Sequence, residues 1–401
     1  MKIRSLNLLL FVIIIISFNN QNIFAQKVKT LSNYVITSDS LNSSVFREFI
    51  GSKIASSQFI MVGEQHGLRE VGEITSLIYN IAQPFGYKHL CIETDAVAAK
   101  QIEKNASGKK PAQLAKENYK SFPHAIPFYN NYDDYQLFSQ VIKSQGDVWG
   151  IDQTFMAQFR LNFDYIENTT SNELLKEEVI KLKAIAIASF EKAIEEKDFM
   201  APFIFQYSDE LHNELMGLTK NDFEKEILNQ LKITKEIYML NFAKQSYLSN
   251  LKRAQLMKQN FLKYYKSETE SEKHPKVVFK MGANHVSRGL NGTNVYDISN
   301  LVSELAIING MESTHILVTG INGESTIGNP FAPVPTNSFD NTEDFPEEVQ
   351  QSIEELNKKY FILDLSQLRP NTKSYSSKMQ EWMFKYDIVV LIKDANYSRP
   401  F

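Results

Sequence analysis

Apolar residues gather into short unbroken runs, and stretches with a three-and-four spacing lie between them. The run Phe59-Ile60-Met61-Val62 leads into Gly63, and Glu64, Gln65 and His66 follow at once. Such a run, closed by a Gly, predicts a buried strand with a turn at its end. Leu68, Val71, Ile74, Ile78 and Ile81 then recur at helical spacing, which predicts an amphipathic helix. Pro84 and Gly86 end it. A second strand is expected over 87–94, ending near Glu93, and a third over 147–152, ending in Asp152. Strand, helix and strand in this order imply parallel pairing through a right-handed crossover.

The pattern changes after residue 155. From about 172 to 266 the chain is rich in Glu, Lys, Leu and Ile, with Gly only at Gly217 and Pro only at Pro202. This predicts two or more long helices without a sustained heptad. Strands return over 276–282, 314–319, 360–365 and 386–393, and a Pro-, Asn- and Gly-rich loop covers about 321–345. A loop of that length carries function or lacks structure of its own. The expected fold is α/β, a mostly parallel sheet flanked by helices, with a large helical insertion at about 155–270. Residues 26–401 form one such domain.

The first residues belong to no fold element. Lys2 and Arg4 precede an apolar run from Leu8 to Ile16, then polar residues and Ala25. This is the shape of a secretory signal peptide over 1–25. The apolar run is too short to span a bilayer. The expectation is export to the periplasm or medium, without a stable membrane anchor. The single cysteine, Cys91, sits in an apolar run, cannot form an internal disulfide, and reads as packing. With 43 basic and 47 acidic residues and a net charge of -4, nothing argues for nucleic acid.

The candidate chemistry sits at strand ends, where open α/β sheets bind ligands. Glu64 and His66 follow Gly63. Glu93 closes the second strand, where it could instead cap a helix. His285 follows Gly282 by three residues, the same spacing as His66 after Gly63. Arg253, Met257 and Asn260 share one helix face at i, i+4 and i+7, a face that could equally be solvated. An aromatic cluster, Phe122, Phe128, Tyr129, Tyr132 and Tyr135, is either core or the wall of an apolar pocket. The sequence has no serine-hydrolase elbow, Walker loop, Rossmann glycine fingerprint or zincin helix.

Taken together, Gly63-Glu64-x-His66-Gly67-x-x-Glu70, the strand end at Glu93, Arg253-x-x-x-Met257-x-x-Asn260 and Gly282-x-Asn284-His285 resemble the erythromycin esterase family. The likeness runs from about residue 58 to 300. Two departures are Gln65, where the family has a small residue, and the wording Lys280-Met281-Gly282-Ala283-Asn284-His285 of the second histidine motif. The resemblance implies an esterase-type hydrolase acting on a small-molecule ester or lactone without a cofactor. It casts His66 as general base. Glu64 and Glu93 orient or polarise it, His285 completes the pocket, and Arg253 steadies acids or an oxyanion. Glu70 and Asn284 are cast as substrate-binding, and no residue is cast as a metal ligand. The first motif is shared with a wider superfamily that includes haem-binding iron-regulated lipoproteins and metal-dependent proteases. A haem- or metal-binding protein without hydrolase activity is therefore the alternative, since imidazole and carboxylate also suit divalent metals.

Overall fold

The computed structural model describes residues 31–332, 335–354 and 357–401, and the expected signal peptide lies outside them. Ten strands are found among these residues: β1 (Val35–Ser38), β2 (Ser57–Glu64), β3 (His89–Ile92), β4 (Val148–Gly150), β5 (Val277–Gly282), β6 (Glu312–Gly320), β7 (Asn322–Thr326), β8 (Thr336–Asp340), β9 (Tyr360–Asp364) and β10 (Ile388–Ile392). Eight of them form one sheet in the order β1-β9-β10-β6-β2-β5-β3-β4. From β10 to β4 every neighbouring pair is parallel. Only β9 pairs antiparallel, with β1 and with β10. The fold is α/β, as the strand and helix patterns imply.

Side chains alternate across a strand, and here both faces are covered. Ile60 and Val62 of β2 join the core on one side, with Ile74 and Ile78 of the helix Arg69–Ala82. Phe59 and Met61 join the core on the other, with Met257 and Phe261 of the helix Ser246–Glu268. That is why the central strands read as continuous apolar runs rather than alternating ones. Each fully buried side chain of this kind stabilises the fold by about 1.5–3 kcal/mol.

Two expectations change. β2 and β3 are parallel but not paired, because β5 lies between them. The 321–345 segment is not a bare loop. β7 and β8 form an antiparallel ribbon with Asn322 opposite Asp340 and Thr326 opposite Thr336. The helical stretch is observed, with its longest helices at Glu173–Glu196, Asp222–Phe242 and Ser246–Glu268.

Candidate active site

β2, β5 and β3 run parallel, so Glu64, Gly282 and Glu93 reach the same edge of the sheet. Glu64 lies level with Gly282 in register. His66 leaves the turn after β2, and its Nδ1 lies 2.9 Å from Glu64 Oε1. A carboxylate can only accept, so Nδ1 carries the proton and Nε2 is the basic nitrogen of the neutral ring. Nε2 is 3.6 Å from Glu93 Oε2.

Glu93 is buried, 2% exposed, and held from three sides. The Gly282 N–H donates to its Oε2 at 2.7 Å. Arg253 donates to its Oε1 at 2.8 Å, and His285 Nε2 lies 3.2 Å from the same oxygen. Arg253 also binds Asp152 through Nε at 2.9 Å. His285 Nδ1 donates to Asp297 Oδ2 at 2.9 Å. A Cβ on Gly282 would stand 2.8 Å from His66 Nε2 and 3.2 Å from Glu93 Oε2, so only glycine leaves room for this arrangement. Lys280, two residues earlier on β5, is likewise buried. It bridges Glu64 Oε2 at 2.7 Å and Asp134 Oδ1 at 3.1 Å, and lies over the Tyr129 ring.

The electrostatics follow from these contacts. Burial, the strongest influence on Glu93, favours its neutral form, but His285, His66 and Arg253 together hold it well below the usual carboxylate range. Glu64 is likewise lowered, with Lys280 and His66 outweighing burial. Burial also works against charge on His285, yet Glu93 and Asp297 raise it to about 10. It is therefore a cation at neutral pH that donates from both nitrogens. His66 is raised as well, burial being overcome by the Glu64 hydrogen bond and the Glu93 charge.

His66, its side chain 33% exposed, opens onto a cavity of about 410 Å³. Phe128 stacks on its ring, centroids 3.9 Å apart and planes 11° from parallel. Phe128 does this from a left-handed backbone, φ 64°, a conformation that costs a non-glycine residue about 1–3 kcal/mol and that clusters at functional sites. Opposite, the ribbon closes on the first motif. Gly67 has φ 83°, and a Cβ there would meet the Thr326 carbonyl at 2.3 Å.

The structure brings His66, Glu64, Glu93, His285 and Arg253 into one contiguous cluster. Of these five only His66 lines the cavity. Arg253 is clamped between two acids, Glu93 and Asp152, and is not among the residues that line this cavity. The Glu70 carboxylate is buried and accepts from Lys359 Nζ and Asn396 Nδ2, each at 2.7 Å, so it ties the helix start to the C-terminal segment, and it is not among the residues that line the cavity. Asn284 is exposed, its side-chain oxygen lies beside Gly292, and it is not among the residues that line the cavity. The aromatic cluster divides: Tyr129 and Tyr135 are core, and Phe128 is wall. Lys280, Asp134 and Asp297 were not singled out by the sequence. Only Lys280 carries a local signal, a lysine inside an apolar strand, which burial permits only with paired charge.

The residues do not fit a divalent metal or a haem iron at this cluster. Both oxygens of Glu64 and of Glu93 already face cations or donors, and Lys280, Arg253 and His285 would repel a dication. The two His66 nitrogens face carboxylates and one ring face is covered by Phe128.

No protein-family model matches the chain, and no curated protein matches it. Solved structures do. A protein from Bacillus cereus aligns over 92% of this chain and 97% of its own, with 16% identity and a TM-score of 0.56. A succinoglycan biosynthesis protein aligns over 94% and 98%, with 13% identity and a TM-score of 0.57. A histidine-to-asparagine mutant of an erythromycin esterase in its open conformation aligns over 91% and 98%, with 14% identity and a TM-score of 0.59. Over nearly its whole length, the chain therefore has the fold of an erythromycin esterase.

Proposed function

We propose that the protein is an exported esterase-type hydrolase in which His66 activates water against an ester or lactone carbonyl. The observation that carries this reading is the partly exposed His66, set at a cavity wall with its Nδ1 proton on Glu64 and its basic Nε2 facing Glu93. Nε2 takes a proton from water as the oxygen bonds to the carbonyl carbon. When the tetrahedral intermediate collapses, the carbon–alkoxide bond breaks and His66 returns the proton to the leaving oxygen. Glu64 and Glu93 are positioning residues: they fix the tautomer and stabilise the imidazolium. General-base catalysis of this kind contributes about 10²–10⁴-fold.

The cavity also restricts the substrate. Among the described residues lining it there is no Lys, Arg, Asp or Glu. Its second histidine, His124, is pushed down by burial and by Arg160, so it is neutral at pH 7. Pro127, Phe128, Ile327 and Pro330 supply apolar wall, and Asn130 and Asn329 supply neutral amides. This lining suits an uncharged, largely apolar ester.

The test is a panel of neutral and charged esters and lactones, with wild type and His66→Ala side by side. Turnover of a neutral member should fall by about 10²-fold or more in the variant. Equal turnover by both proteins would refute the assignment. Export is supported by the Lys2/Arg4 and Leu8–Ile16 pattern. Among the described residues no helix is long and apolar enough to cross a membrane. N-terminal sequencing of the exported protein should begin at Gln26; intact Met1 on cytoplasmic protein would contradict the proposal.

A further inference from the structure

The far edge of the sheet carries a second cluster that the hydrolytic reading does not use. His89 opens β3 and Asp147 immediately precedes β4, so both stand where the parallel strands begin. Glu268 is the last residue of the helix Ser246–Glu268. That helix bears Arg253 near its first turns, so at about 1.5 Å per residue it runs about 22 Å from the hydrolytic cluster to this edge.

His89 is 6% exposed and rigidly held. Trp149 stacks on its ring with centroids 4.6 Å apart, and Tyr264 stacks on Trp149 in turn. Its Nδ1 is hydrogen-bonded to Asp147 Oδ1, and Trp149 Nε1 donates to Asp147 Oδ2 at 3.0 Å. Asp147 therefore has both oxygens engaged and fixes the orientation of the imidazole.

The other ring nitrogen is unexplained. His89 Nε2 is buried and has no hydrogen-bond partner among the described residues. It points toward Glu268 Oε2 at 3.8 Å, too far for a hydrogen bond. Among the described residues, the Glu268 oxygen accepts only from the Ser271 hydroxyl, at 3.5 Å. Two donors at about 2.0–2.2 Å from one tetrahedral ion stand roughly 3.4 Å apart, so a few tenths of an ångström of movement would let both reach a shared ion. A carboxylate on the distal nitrogen is the usual support of a metal-bound histidine. Glu268 also sits at the negative end of its helix, an unfavourable place for an acid unless a cation is nearby.

We propose that His89 Nε2 and Glu268 Oε2 bind one divalent transition-metal ion of the zinc class, with Asp147 as the residue that positions His89. Waters complete the coordination. No Lys or Arg is paired with Asp147 or Glu268 among the described residues, in contrast to the hydrolytic cluster.

The experiment is calorimetric titration of chelator-treated full-length protein with zinc ion alone. Wild type should bind one equivalent. His89→Gln and Glu268→Gln should each weaken binding at least tenfold, and His66→Ala should leave it unchanged. Because His89 is packed in the core, circular dichroism checks its variant. Glu268, its side chain 31% exposed, provides the change that leaves packing intact. No one-to-one binding by wild type, or undiminished binding by Glu268→Gln, would overturn the site. Loss of binding in His66→Ala would relocate the ion to the hydrolytic cluster.

Discussion

At the scale of single residues, the decisive property is the proton on His66. Burial alone would lower its pKa, but the Glu64 hydrogen bond and the Glu93 charge raise it above the ordinary 6.5. In the proposed mechanism the general base must be unprotonated, so activity is lost as pH falls through this raised value. The acidic limb of the rate profile is therefore expected above pH 6.5 in wild type. Glu93→Gln removes one raising charge, so the limb should shift toward lower pH. A limb that stays in place would exclude Glu93 from the electrostatics of His66. Glu64 and His66 were legible in the sequence because they are two residues apart on one turn. Asp297 was not, because its contact with His285 spans 12 positions and follows no periodicity. The contacts of Glu70 with Lys359 and Asn396 were not legible, because a motif spacing does not say which way a helix-start carboxylate turns.

Among the elements, the apolar runs gave the central strands and the shared edge of Gly63, Glu93 and Gly282. They could not give the order of strands, since β5 enters between β2 and β3 only after the long helical stretch. The ribbon β7–β8 was hidden by its composition: strands of five residues inside a Pro-, Asn- and Gly-rich segment carry little β pattern. The insertion of β5 is what makes Gly282 important. Its φ is -54°, a backbone that any residue adopts, so alanine would not strain the turn. The added Cβ would instead stand 2.8 Å from His66 Nε2. Displacement of a reacting group by about 1 Å can cost 10²-fold, whereas overpacking costs about 1–3 kcal/mol. Gly282→Ala should therefore fold, with a modestly lowered melting temperature, and lose at least tenfold in turnover. Unimpaired turnover in a folded Gly282→Ala protein would show that the His66 position at this strand end is not the reactive one.

Across the whole molecule, one sheet edge concentrates buried charge. Glu64, Glu93, Asp134, Asp152 and Asp297 are all buried there, against the permanent cations Lys280 and Arg253. Within this cluster Glu93 and Asp297 keep His285 protonated, and Glu64 and Glu93 raise His66, in each case against the effect of burial. The folded pKa of His285, about 10, lies above its ordinary 6.5. A group raised on folding contributes its full stability below the unfolded value and loses that contribution as pH rises through the folded one. The stability difference between wild type and His285→Gln should accordingly be largest at or below about pH 6.5. It should narrow steadily and nearly close by about pH 10. Thermal or denaturant unfolding of both proteins across that range measures it directly. A gap that is constant with pH would mean that His285 acts through packing, and the cation assigned to it beside Glu93 would have to be abandoned.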